Sequence, residues 1–384
     1  MALVLTEEQQ LLKDSADGFF TDKAPVAQLR RLRDDKDETG YDTGLWRDMA
    51  EMGFAGLLVG EDHGGTGFGH VGAGIVAEAM ARTLAASPFM ASAVTAAGLI
   101  DTLASDAVKA DLLAKIAGGD TVISPALDEK SRHDLTATAT RAAKNASGNT
   151  DGDTYTLTGA KTFVPDGHVA DHFLVLARTD GTPGDTAGLS LFLVDKGTPG
   201  LIVDRTVMAD SRNWAKLTLE GVQLPADRLI GTEGDAFDGV DAALDRARII
   251  YAAELLGIAQ VCLDTTVDYL KDRKQFGVAI GTFQGLQHRL AHLYSEVETA
   301  RSAILKGLQA ADKGGSLAWF ASLAKAKACK VAELATNEAI QMHGGIGMTD
   351  EYDIGFYIKR ARTVQQLYGD FYFHSDRFAR QSGY

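Results

Sequence analysis

Along the first 120 or so positions, apolar residues return every three to four places. Leu11, Leu12, Ala16 and Phe19-Phe20 follow Thr6 and Gln9, whose spacing is that of a capping box, so a helix is expected from there. The same period predicts helices over 45–52, 71–83, 91–103 and 107–117, the last closed by Gly118-Gly119. Near Thr121 the period shortens. β-type runs at 136–143, 155–157, 162–164, 172–177, 190–194 and 216–219 are separated by Gly, Asn, Asp and Pro, which predicts a compact antiparallel β domain, a barrel or sandwich. That domain should end near Pro225-Ala226-Asp227. No proline follows Pro225, and helical spacing returns over 240–269, 286–308 and 317–340. The expectation is an α+β multidomain chain with an N-terminal all-helical domain (1–120), a middle β domain (121–232) and a C-terminal four-helix bundle (233–384).

Composition narrows what such a chain can be. With 384 residues and 45% hydrophobic content it can bury a large core. No run of about 18 apolar residues stands out, and Met1 to Glu8 is no signal peptide, so a cytoplasmic protein without membrane insertion is expected. Cys262 and Cys329 are the only cysteines; both sit among alanines in helical patterns and read as small core residues, not as a disulfide or zinc framework. A formal charge of −14 argues against nucleic-acid binding while leaving room for one local cationic pocket for a phosphate.

Candidate chemistry concentrates at two places. Gln341-Met342-His343-Gly344-Gly345-Ile346-Gly347 ends a long helical pattern in three glycines within four positions, a turn that lets a ligand approach the backbone closely. It follows a helix, so it is not the Rossmann fingerprint, and in isolation a plain glycine helix cap would be the better explanation. The second place, Arg273-Lys274-Gln275-Phe276-Gly277 with Phe283-Gln284, lies at the junction of two other helical patterns, and the pair suggests a nucleotide clamp between helices. By contrast the glycine-rich loop 60–69 lacks a strand-to-helix setting and reads as a bend. His288, His292 and Glu296 share one helical face, but Leu286, Leu290, Leu293 and Val297 form the buried stripe of that helix, so no metal site is expected. Nucleophile-elbow, Walker and CxxC patterns are absent from the sequence.

Taken together, the order of domains and the motifs YLKDRKQFG (Tyr269 to Gly277), IGTFQ (Ile280 to Gln284), QMHGGIG (Gln341 to Gly347), YTLTGAK (Tyr155 to Lys161) with Ala170-Asp171, and VQLPADRLIG (Val222 to Gly231) resemble the acyl-CoA dehydrogenase family over essentially the whole chain. The resemblance implies FAD bound at subunit interfaces of a dimer of dimers, oxidation of an acyl-CoA substrate to the 2-enoyl-CoA, and electron-transfer flavoprotein as electron acceptor. It gives Arg273 to the FAD pyrophosphate, where a planar guanidinium makes paired charge-assisted hydrogen bonds. Phe276, Ile280 and Phe283 would pack near the adenine, with Gln284 beside them, and Gln341, Gly344 and Gly345 would offer an amide and bare backbone. In the family these groups reach the FAD of the neighbouring subunit.

Other positions depart from the family pattern. Where the family holds the isoalloxazine with Thr-Glu-Pro followed by Gly-Ser-Asp, this chain has Ile123-Ser124-Pro125-Ala126-Leu127-Asp128-Glu129; where it has Trp-x-Thr, this chain has Phe163-Val164-Pro165. Proline has neither hydroxyl nor amide hydrogen to donate. The family's glutamate base occupies one of two positions, here Tyr368 and Ala247, and neither residue is a base at neutral pH. Asp370 and Asp245 lie two residues away, and two residues on a helix turn a side chain by about 200°. The expectation is therefore a base-lacking subunit of a heteromeric, α2β2 acyl-CoA dehydrogenase of the pimeloyl-CoA small-subunit or steroid side-chain kind, with a homologous partner subunit. A self-sufficient enzyme using Asp370 and a flavin-free scaffold subunit are the alternatives.

Overall fold

The computed structural model describes residues 3–145 and 153–384; Met1 and Ala2, at the head of the segment read as no signal peptide, lie outside them. Helices α1 (Glu7–Lys23), α2 (Val26–Asp34), α3 (Thr43–Glu51), α4 (His70–Thr83), α5 (Ala97–Leu103) and α6 (Asp106–Ala117) come first. Strands β1 (Ile123–Ala126), β2 (Arg141–Asn145), β3 (Thr154–Pro165), β4 (His172–Arg178), β5 (Leu189–Asp195), β6 (Leu201–Val207), β7 (Asn213–Pro225) and β8 (Leu229–Ile230) follow. Then come α7 (Phe237–Asp272), a hairpin of β9 (Lys274–Gln275) and β10 (Val278–Ala279), α8 (Gln284–Lys313), α9 (Leu317–His343), α10 (Ile354–Gln366) and α11 (Phe371–Gln381). A helical part, a β part and a helical part thus succeed one another as the periodicities predict.

These elements gather into two compact units, one of Met1–Asp35, His70–Ala86 and Arg248–Tyr384, the other of Lys36–Gly69 and Ser87–Ala247. In the second unit an eight-stranded sheet runs β6-β7-β3-β2-β4-β5-β8, with β1 beside β4. One face buries a cluster that includes Tyr155, Leu157, Phe173, Phe192 and Leu217. Most pairs are antiparallel, as expected, but β1 and β2 each pair with β4 in parallel. A period of two says which face a residue takes, not which way its neighbour runs. The separate runs expected at 155–157 and 162–164 are one strand, β3, interrupted by register shifts at Leu157/Thr158 and Lys161/Val164. The run expected at 136–143 is a turn over Leu135–Ala137, with β2 starting only at Arg141, and β6 escapes the pattern because most of its residues are exposed. The helix expected over 91–103 begins as a π-helical stretch, Phe89–Ala96, in which the Thr95 hydroxyl donates to the Met90 carbonyl at 2.8 Å.

In the first unit the capping box forms as read: the Gln9 amide N–H donates to Thr6 Oγ1 (3.2 Å) while the Thr6 N–H donates to Gln9 Oε1 (3.0 Å). Helix α7 is apolar enough over an 18-residue window (mean hydropathy 1.3) to cross a membrane by composition, a feature absent from the expectation above. Of that window 78% is buried inside the protein, so α7 is a core helix. Gly257 on α7 is required by packing, since a Cβ there would collide with the Glu78 carbonyl of α4. Arg360 on α10 donates to Glu254 on α7 at 2.6–2.7 Å, a buried ion pair joining the two helices. Two helices beyond the expected runs, α10 and α11, pack on α9.

Candidate functional site

The end of α7 builds the first half of the candidate site. Arg273, the residue after the helix, donates its N–H to the Tyr269 carbonyl (2.8 Å), and its own carbonyl accepts from Ile280 N–H (2.8 Å), which closes the β9–β10 hairpin. Gln275 pairs with Val278 across a two-residue turn in which Phe276 (φ 55°) and Gly277 (φ 80°) both have positive φ, the pattern of a type I′ turn. Glycine suits that position. A phenylalanine does not, and it costs on the order of 1–3 kcal/mol to hold there. Yet Phe276 is 89% exposed and meets only the edge of Phe283 (ring centroids 6.1 Å apart, 81° between planes). Phe276 thus buries little of its ring against the described residues. Arg273 and Gln284 are exposed as well, Ile280 half-buried, and the Arg273 side chain has no hydrogen-bonding or ionic partner among the described residues.

The second half is the turn after α9. Gly344 has φ 63° and ψ −137°, a conformation open essentially to glycine alone, and its N–H caps the helix on the Ile340 and Gln341 carbonyls. Gly347 is forced by packing, because a Cβ there would stand 3.0 Å from both His343 Cβ and the Ile340 carbonyl. Gly345 has neither reason: its φ is outside the left-handed region and a Cβ would meet nothing within 4 Å. Gln341 is exposed beside it.

Three aromatic rings join the halves. His343, 2% exposed, stacks on Tyr269 of α7 (centroids 4.3 Å, 29°) and tilts against Tyr352 (4.8 Å, 43°). The Tyr269 hydroxyl donates to the His343 carbonyl at 3.3 Å, and His343 Nδ1 is 2.7 Å from the Ala339 carbonyl, so Nδ1 carries the proton. Burial pushes the imidazole pKa down, keeping the ring neutral. Beyond Tyr352, Arg30 of α2 donates to Asp353 (2.7 and 2.8 Å) and to the Asp350 carbonyl (2.7 Å), while Arg33 makes a paired contact with the Asp350 carboxylate (2.6 and 2.9 Å). Both guanidiniums lie over the Phe356 ring, at 4.6 and 4.9 Å. The hydrogen bond from Arg33 holds the Asp350 carboxyl below the usual carboxylate range. Sequence reasoning quoted Tyr269 and His343 inside motifs without a role and missed Arg30, Arg33 and Tyr352; only the i, i+3 spacing of the two arginines hinted at a shared face.

The positions to which the resemblance assigns the base, and the aspartates near them, are engaged in the fold. Tyr368 is 2% exposed with φ 54°, its ring edge-on to Tyr251 (5.6 Å), and its carbonyl accepts from Arg248 Nε at 3.0 Å. Lys325, fully buried, gives its ammonium to the carbonyls of Val364, Gln365, Leu367 and Gly369 at 2.9–3.3 Å. Burial lowers its pKa. Two buried cations therefore grip the main chain around Tyr368. Asp370 is the N-cap of α11, its Oδ1 accepting from Phe373 N–H at 2.9 Å. Ala247 and Asp245, in the other unit, are buried at 2% and 3% exposure. His288, His292 and Glu296 form no metal cluster among the described residues; Glu296 is held by Lys327 at 2.6 Å.

In the sheet unit, Ser124 is fully buried and spends its hydroxyl on the Pro165 carbonyl. Phe163 has φ 53°, is 42% exposed and meets Trp214 edge-on (6.2 Å). Lys161 of the YTLTGAK motif is buried and donates to Glu129 (2.7 Å) and the Leu127 carbonyl (3.0 Å). Burial lowers the Lys161 pKa. Burial alone would raise the Glu129 carboxyl, but the Lys161 ammonium and amide donors outweigh it and hold the carboxyl below its ordinary value. Ser124 and Lys161 thus spend their donors inside the chain, Pro165 has none, and Thr162 Oγ1 beside Phe163 is buried without a hydrogen-bond partner among the described residues.

Models of three acyl-CoA dehydrogenase domains match the chain in order: the N-terminal domain over residues 6–120, the middle domain over 128–222 and the C-terminal domain over 237–381. The chain belongs to the acyl-CoA dehydrogenase family, whose members are FAD-dependent oxidoreductases. It is 32% identical to cyclohex-1-ene-1-carbonyl-CoA dehydrogenase of Geobacter metallireducens, with 94% of each chain covered. Among solved structures it is similar to butyryl-CoA dehydrogenase from Megasphaera elsdenii (27% identity, TM-score 0.89, 100% of both chains) and to the ChsE4-ChsE5 complex from Mycobacterium tuberculosis (27% identity, TM-score 0.87, 100% of this chain and 99% of that one).

Proposed function

We propose that this chain is one subunit of a heteromeric acyl-CoA dehydrogenase, lending the adenine-side clamp to FAD while a second, homologous subunit of an α2β2 assembly supplies the isoalloxazine cradle and the base. One observation carries this reading: both base positions, Tyr368 and Ala247, lack a carboxylate, and the nearby Asp370 is engaged as a helix N-cap. The likeness to a two-chain complex supports it.

The residues present fit the adenine side of FAD. Arg273 offers an unpaired guanidinium to the pyrophosphate, Gly344 and Gly345 offer open main chain, Gln341 an amide, and Phe276, Ile280, Phe283 and Gln284 a contact surface for the adenine. They do not fit the isoalloxazine side, where Pro165 has no hydrogen to donate and Ser124 is already bonded to it. When bound, FAD supplies the acceptor for the hydride leaving the acyl β-carbon. Removing the α-proton at the same time needs a positioned carboxylate, and this chain holds and orients without supplying one. Electron-transfer flavoprotein would take the electrons, and the assembly would be cytoplasmic.

The test is expression of the chain alone and together with a homologous subunit encoded beside it. Alone it should purify with little or no FAD, and together as a yellow complex that oxidises acyl-CoA. Stoichiometric flavin and turnover in the isolated homo-oligomer would refute the heteromeric reading.

A further inference from the structure

Arg273 and Gly344–Gly345 come from different helices, α7 and α9, and the loops carrying them have little packing of their own: the hairpin projects Phe276 into solvent, and a Cβ at Gly344 or Gly345 would meet nothing within 4 Å. Two separate loops grip one dinucleotide together only when something sets the distance between them. Tyr269 stands four residues before Arg273, on the turn whose carbonyl accepts the Arg273 N–H at 2.8 Å. His343 immediately precedes Gly344. The two rings are stacked at 4.3 Å, and the Tyr269 hydroxyl donates to the His343 carbonyl at 3.3 Å, so the last turn of α7 and the last residue of α9 are tied to one another. Tyr352 tilts against His343 (4.8 Å) and meets Tyr269 edge-on (6.3 Å), so the three rings form a triangle, and the Tyr352 segment is tied down on both sides, through Asp350 and Asp353, by Arg30 and Arg33 of α2.

We propose that Tyr269, His343 and Tyr352 are positioning residues: their three-ring cluster fixes the separation of the Arg273 loop from the Gly344–Gly345 turn, so that the two halves of the clamp engage one dinucleotide together. This rests on the reading that Arg273 and the glycines hold FAD. The rings themselves touch no reacting atom. Their contribution is to pre-set a geometry that binding would otherwise have to organise, at a cost in affinity.

The experiment is a double-mutant cycle on the FAD dissociation constant of the assembled flavoprotein, stripped of flavin and reconstituted, with Arg273→Ala, His343→Leu and the double variant, plus His343→Phe as the conservative replacement. Where His343→Leu impairs folding, Tyr352→Leu takes its place in the cycle, since Tyr352 is only partly buried. The stack predicts that Arg273→Ala and His343→Leu each weaken FAD at least about tenfold, that the double variant falls short of the product of the two by about fivefold or more, and that His343→Phe stays within about threefold of the parent. A merely structural histidine would give multiplicative effects, and a double variant at the product would overturn the proposal. So would a phenylalanine as harmful as leucine. If Arg273→Ala leaves FAD binding unchanged, the clamp reading itself falls and this proposal with it.

Discussion

Gly345 offers a clean separation of folding from ligand binding. Alanine there keeps an allowed backbone conformation and adds a methyl group that meets no atom of the chain within 4 Å. Folding should tolerate it, and loss of glycine's freedom in the unfolded state should stabilise the protein by about 0.4–1 kcal/mol. FAD binding should suffer instead. If the dinucleotide lies against this main chain, a methyl group pushed into that contact costs about 1–3 kcal/mol, the usual penalty for overpacking, which is roughly a 5- to 150-fold rise in Kd. Gly344→Ala cannot make the same distinction, because φ 63° with ψ −137° strains any side chain, by about 1–3 kcal/mol, with or without ligand. The assay is reconstitution of the flavin-free assembly with FAD, read by quenching of flavin fluorescence, beside calorimetry of the flavin-free protein. An unchanged or raised Tm together with a Kd within about twofold of the parent would show that nothing approaches the backbone at Gly345, and the glycine turn would lose its standing as half of a clamp.

Asp370→Asn should keep the α11 cap and leave acyl-CoA oxidation by the complex near normal, whereas Asp370→Ala should cost about 0.5–2 kcal/mol of stability; a loss of about a thousandfold in kcat for the asparagine variant with FAD still bound would move the base onto this chain. Lys325→Met should strip four buried carbonyls of their donor and destabilise the protein by about 3–5 kcal/mol, seen as a lower urea midpoint, and a shift under about 1 kcal/mol would refute the cage. His343, with a folded pKa depressed from 6.5, takes up its proton less readily than the unfolded chain, so its contribution is constant above that pH and is lost as pH falls through it, with a slope of at most about 1.4 kcal/mol per unit. Denaturant midpoints at pH 7.5 and 5.5 should therefore fall more for the parent than for His343→Phe, and equal slopes would refute the buried neutral histidine.

Periodicity in the sequence was enough to determine the succession of helical, β and helical parts, the capping box at Thr6 and the existence of the long helices α7 and α9, whose ends lie three residues beyond the expected runs, because each depends on residues near one another in the chain. The glycine run after α9 and the Arg273–Gly277 junction between helices were visible for the same reason, because both are local, whereas the β9–β10 hairpin at that junction was not foreseen. Tertiary structure alone decided what those motifs are fastened to. No spacing rule links Tyr269 to His343, or Arg33 to Asp350, which are brought together by helix packing over separations of 74 and 317 residues. Strand direction around β4 was equally invisible, since a side chain's face does not encode its neighbour's polarity. At Tyr368 the sequence alone shows the absence of a carboxylate, and the fold shows why the main chain is held there: Arg248 and Lys325, far away in sequence, are buried cations whose donors find their acceptors in the carbonyls of that loop.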